Sequence, residues 1–181
     1  IVDENPAPVV AEFEFGPPFG ALDLETRIRI DLYSNVRAIA ETADGSLYMT
    51  GRYVKASGGC SAPATKDAET SLANMGEMRR REFAPRSDGR QEAQIMIRHP
   101  NYSGLQRDQI TQLFIAAQFI DRIEVRQGDE MLFTVEGGIS LSENPVIRFS
   151  YQDNGSDSLT IFAEDTEGNS WQKTIAKEPA T

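Results

Sequence analysis

A chain of 181 residues carries a single thiol and a single imidazole. The thiol, Cys60, sits in Val54-Lys55-Ala56-Ser57-Gly58-Gly59-Cys60-Ser61-Ala62-Pro63. Such a segment has little to bury and much entropy to lose on ordering, so an exposed, reactive thiol is expected. A cation at Lys55 or Lys66 would favour the thiolate, the nucleophilic form. Gly58 and Gly59 leave a backbone slim enough to enter a narrow cleft on a partner. The bland alternative is a small buried hydrophobe, which is how most free cysteines behave. With a single cysteine there is no internal disulfide, and an exposed thiol in an oxidising compartment would bridge to a second copy through Cys60–Cys60.

Other candidates are weaker. His99 precedes Pro100 and has no second histidine or cysteine to share a metal, so a turn histidine satisfied by hydrogen bonds is the better reading. No metal site and no cofactor motif is expected. Glu12 with Glu14, and Asp129 with Glu130, read as solvated strand faces and turns rather than a hydrolytic pair. Arg79-Arg80-Arg81 offers an anion site, against the plainer reading of a solvated basic run. Gly137-Gly138 lacks the Lys-Ser/Thr and the helix of a phosphate loop. With no triad to assemble, the chain is expected not to be a self-contained enzyme.

The elements that must hold these residues are strands. Hydrophobic content of 39% with 25% charge suits a packed globular core. The net charge of -10 argues against nucleic acid and anionic membrane surfaces as partners, and no run reaches the length of an apolar membrane span. Between Thr26 and Tyr33, Ile28, Ile30 and Leu32 alternate with Arg29 and Asp31, which predicts a half-buried strand. Residues 35–42 and 47–55 flank Asp44-Gly45, a hairpin signal. The second half repeats the style at 122–126, 131–135, 146–152, 159–164 and a last strand carrying Trp171. Ile110, Leu113, Phe114 and Ala117 are spaced for a helix, and an extended loop fits equally well. A short helix over Asp67–Met75 is also open.

Residues 63–91 have a different texture. They carry 6 basic and 5 acidic side chains, against 5 and 9 before residue 60 and 7 and 14 after residue 91. This predicts three pieces: an acidic β-domain at 1–62 ending in the cysteine loop, a linker at 63–91, and a second acidic β-domain at 92–177.

Tyr53-Val54-Lys55-Ala56-Ser57-Gly58-Gly59-Cys60 resembles the end of SoxY, the sulfur-carrying subunit of the periplasmic thiosulfate-oxidation system, which finishes in Gly-Gly-Cys-Gly-Gly. The second half resembles its partner SoxZ, through Ile97-Arg98-His99-Pro100, Ser103-Gly104-Leu105-Gln106-Arg107-Asp108, Phe119-Ile120, Ile139-Ser140, Glu143-Asn144-Pro145, Phe149, Asp165 and Gly168. Together they resemble the fused SoxYZ-like carrier family associated with quinoprotein dehydrogenases. The resemblance implies an all-β fold of two immunoglobulin-like β-sandwich domains joined by a linker. The 59 residues before the thiol are short for a complete sandwich, so the first is expected to be incomplete at its N-terminus. It also implies a periplasmic address and a covalent carrier role, with Cys60 as attachment site and Gly58 and Gly59 giving the carrier loop its flexibility. It makes 109–118 extended, since SoxZ has a proline near Ala117. The implied partners are periplasmic sulfur-metabolising or quinoprotein dehydrogenase-associated proteins. The competing reading is a non-catalytic interaction or assembly module, with the thiol structural or used for dimerisation.

Overall fold

The computed structural model describes residues 1–17, 23–63 and 72–177. Among them eleven strands follow in chain order. They are β1 (Ala11–Phe15), β2 (Leu24–Thr26), β3 (Ser34–Glu41), β4 (Leu47–Val54), β5 (Met78–Phe83), β6 (Gln91–Ile97), β7 (Ile120–Gln127), β8 (Glu130–Gly137), β9 (Val146–Tyr151), β10 (Ser158–Asp165) and β11 (Ser170–Ala176). All pair antiparallel. The all-β expectation holds, and the hairpin and second-half strands lie where the alternation predicted them.

A five-stranded sheet runs β1-β8-β7-β10-β11, and a four-stranded sheet runs β2-β9-β6-β5. The inward residues of both meet in one apolar core. Ile95, Ile147 and Phe149 come from the smaller sheet, and Val125, Phe133 and Ile161 from the larger. The period-two pattern drives this: in β10 every second residue, from Leu159 to Asp165, is buried. Phe133 and Phe149 meet edge-on at 4.9 Å across the sheets, a favoured aromatic geometry.

The boundaries between the expected pieces need correction. β5 lies inside the predicted linker, pairs along its length with β6, and buries Met78 completely. Its arginines disguised it, because an edge strand tolerates charge that an interior strand does not. β1 and β2 belong to the expected first domain, yet they form edge strands beside β8 and β9 of the second half. Only β3 and β4 form a sheet by themselves. Gly45 turns that hairpin at φ 82, while the Asp44 carboxylate accepts from Ser46 N and from the Thr42 hydroxyl.

Two further readings meet the structure differently. The predicted strand between Thr26 and Tyr33 is a ladder only to Thr26, after which Ile28 makes one isolated bridge to Leu141. Ile28 and Ile30 pack on a small second core of Val2, Val10 and Leu141, while Leu32 is exposed. Residues 109–118 form no helix. The Asp108 carboxylate captures the N–H groups of Ile110 and Thr111, and Gln112 sits at φ 60. Both features close a turn and stop a right-handed helix. Most of the short helix considered for Asp67–Met75 lies outside the described residues, as does Lys66.

Candidate functional site

Cys60 is completely buried, which corrects the expectation of an exposed thiol. Local composition misled because the segment is held by polar bonds rather than apolar neighbours. Gly58 N donates to Asp31 O at 2.7 Å, Gly59 N to Ile30 O at 3.0 Å, and Cys60 N to Asp31 Oδ1 at 3.1 Å. Its carbonyl accepts from the Ser103 hydroxyl, and the Ala62 carbonyl accepts from Gln106 Nε2 at 3.0 Å. The glycines therefore serve close approach in this conformation. A Cβ on Gly59 would fall 2.5 Å from Ile30 O and 2.8 Å from Ile30 N. Gly58 supplies a left-handed φ of 72. With its sulfur enclosed, Cys60 cannot bridge to a second chain here, so the expected disulfide-linked homodimer loses its basis.

The closet around the sulfur is polar and draws on both halves of the chain. Ser140, fully buried, hydrogen-bonds the thiol and also accepts from Asn5 Nδ2 at 2.8 Å. Asn5 Oδ1 in turn accepts from Asp31 N at 2.8 Å. Arg29 is the nearby cation, a role expected of Lys55, which is exposed. Arg29 Nη1 donates to the carbonyls of Asn101, Ile139 and Leu141 at 2.6, 3.2 and 3.0 Å. Burial pushes the Cys60 thiol above its ordinary value, and the Asp31 carboxylate pushes it further. Arg29 and the Ser140 hydrogen bond oppose both. The docked thiol is thus kept protonated at neutral pH and shielded from reagents.

Sequence reasoning singled out Cys60, Gly58 and Gly59 and missed Arg29, Asp31, Ser103, Gln106 and Ser140. A usable signal existed for two of them. Arg29 and Asp31 occupy the polar positions of an alternating run that never becomes a strand, so their side chains are free to turn inward.

His99 behaves as a buried turn histidine. Its Nδ1 accepts from Asn101 N at 3.0 Å, so the proton sits on Nε2 and is donated to Asp165 Oδ2 at 3.2 Å. Burial lowers its pKa against the raising effect of Asp165 and Asn101. Burial alone would raise the Asp165 carboxyl, but hydrogen bonds from Asn169, Gln118 and His99 outweigh it and hold it below the ordinary value. The arginine run is also spent on structure. Arg79 pairs with Glu77, Arg80 Nη1 donates to Ala176 O at 2.7 Å, and Arg81 lies 4.9 Å over the Phe83 ring. Among the described residues no group of histidine, cysteine and carboxylates is arranged to hold a metal.

Two family models match the chain. Residues 78–176 match the sulphur oxidation protein SoxZ, and residues 1–60 match the sulfur oxidation protein SoxY. The second match ends on Cys60 itself. No curated protein matches the chain.

Proposed function

From the premise that this chain belongs to the SoxZ family of sulfur-oxidation proteins and carries a SoxY segment ahead of it, we propose that it is a covalent sulfur carrier with Cys60 as its attachment site. The observation that carries this reading is the position of the sole cysteine. It closes the SoxY match, and from within the SoxZ match Ser103 bonds to its carbonyl while Gln106 bonds to that of nearby Ala62. Carrier and partner families meet at one thiol.

Chemically, the cargo is a sulfur group bonded to Cys60 Sγ. Joining a thiol to a sulfur anion forms an S–S bond, releases the thiol proton and gives up two electrons. Loading therefore falls to a partner protein that supplies a two-electron acceptor. Later steps act on the distal end of the cargo while Sγ holds the other. Membership of these sulfur-oxidation families supports a carrier without self-contained catalysis. The compartment that fits is the periplasm, and the partners are sulfur-metabolising or quinoprotein dehydrogenase-associated proteins.

A second reading draws on the burial of Cys60. A thiol that never leaves its closet is a structural residue, and the chain is then a non-catalytic interaction module. Replacing Cys60 by Ser separates the two in the native host. The carrier reading expects sulfur oxidation, or the linked dehydrogenase activity, to be lost while the purified variant keeps its melting temperature. A silent Cys60→Ser supports the module.

A further inference from the structure

A carrier whose attachment atom is fully enclosed must open before it can be loaded. We propose that Ser103 and Gln106 form a latch that holds the Cys60 segment closed, and that releasing this latch gates access to the thiol. The proposal rests on the carrier reading and adds its regulation.

The latch is separable from the fold. Residues 55–63 belong to no strand. Among the described residues, two side chains of the sandwich bond to the backbone of this segment, Ser103 Oγ to the Cys60 carbonyl and Gln106 Nε2 to the Ala62 carbonyl, while Ser140 bonds only to its thiol. The two latch residues also brace each other, since Ser103 N donates to Gln106 Oε1 at 3.1 Å. Both are buried polar residues, at 4% and 2% exposure, and their sequence distance from the segment is 43 and 44 residues. Polar groups buried this deeply are retained only when bonded, and here their bonds go to the carrier segment. Segments fastened by a few such bonds open locally without global unfolding. On the far side the segment is fastened to Ile30 and Asp31 by backbone bonds, so losing the latch frees one flank and leaves a hinge on the other.

The test is the rate at which an aromatic disulfide reagent labels Cys60 in the folded full chain. The thiolate attacks one reagent sulfur, an S–S bond forms to the protein, and the coloured aryl thiolate leaves with the electron pair. With opening fast relative to labelling, the rate scales with the population of the open state. Each lost latch bond is expected to speed labelling about tenfold, the effect of one net hydrogen bond together with its stranded partner. Ser103→Ala and Gln106→Ala should both show it, and Ser103→Thr, which keeps the hydroxyl, should return the rate close to that of the unaltered protein. Ser34 is the control, a buried serine whose hydroxyl bonds go to Glu4 N and the Asn35 carbonyl rather than to the segment. Ser34→Ala should leave the rate unchanged. Equal acceleration by Ser34→Ala, or none by either latch variant, overturns the latch. Because the probe is synthetic, the outcome is independent of whether native protein carries sulfur on Cys60, so the latch and the carrier reading fail separately.

Discussion

Replacing Gly59 by alanine distinguishes a glycine kept for close packing from one kept for a flexible arm. The backbone at Gly59 is not left-handed, so alanine can adopt its dihedrals, and only the neighbouring Ile30 backbone objects. That backbone cannot swing aside as a side-chain tip would. Relieving a 2.5 Å contact requires the segment to lift, which breaks three bonds: Gly58 N to Asp31 O, Gly59 N to Ile30 O and Cys60 N to Asp31 Oδ1. At about 1 kcal/mol net each, docking weakens by about 3 kcal/mol, or about a hundredfold in the closed population. Cys60 in Gly59→Ala should therefore react with a disulfide reagent about a hundredfold faster. The same loss comes off the folded state, so the melting temperature should fall as well, by about 2–4 °C per kcal/mol in a chain of this size. Gly58→Ala is the internal comparison. Its φ of 72 costs alanine about 1 kcal/mol, but its Cβ meets nothing closer than Ser61 Oγ at 3.8 Å. The expected order is Gly59→Ala well above Gly58→Ala, with both above the unaltered protein. A flexible arm predicts the reverse sign for Gly59, because removing glycine entropy from the unfolded chain stabilises by about 0.4–1 kcal/mol. Labelling of Gly59→Ala at the unaltered rate refutes the packing argument.

The remaining expectations concern charge and core. Asp31→Asn keeps the oxygen that accepts from Cys60 N but removes the anion that raises the thiol pKa, so the pH profile of labelling should shift to lower pH; Arg29→Gln should shift it higher. Burial holds the folded-state pKa of His99 below the ordinary 6.5, so the unfolded chain binds the proton first as pH falls. Stability should drop below about pH 6.5, seen as a lower urea midpoint at pH 5.5 than at pH 7.5, and His99→Gln should flatten that dependence. The depressed Asp165 carboxyl adds a second loss only below the ordinary carboxylate value of 3.8. Phe149, 1% exposed between the sheets, should cost about 3–5 kcal/mol as alanine, read in chemical denaturation.

Much of the fold was legible because the strands obey simple patterns. The Asp44-Gly45 hairpin and the alternation from Leu159 to Asp165 left little choice, and His99 was rightly assigned to a hydrogen-bonded turn. β5 was hidden because Arg79, Arg80 and Arg81 look like a solvated run until an edge position, a carbonyl and an aromatic ring absorb them. The burial of Cys60 was not legible at all. Its partners Ser103 and Ser140 lie far along the chain, and no local composition reveals that a glycine-rich segment will be bedded on a distant backbone. The same blindness offered Lys55 or Lys66 as the nearby cation and overlooked Arg29, which is distant in sequence and adjacent in space.

The central claim, that Cys60 carries sulfur, is tested most directly by the intact mass of the protein purified from its native host without reductant, with any added mass mapped by peptide sequencing. The account predicts a sulfur-containing adduct on the Cys60 peptide that a thiol reductant removes. A bare Cys60 that also stays unmodified with thiosulfate, sulfite and polysulfide, even in the Ser103→Ala protein, contradicts it.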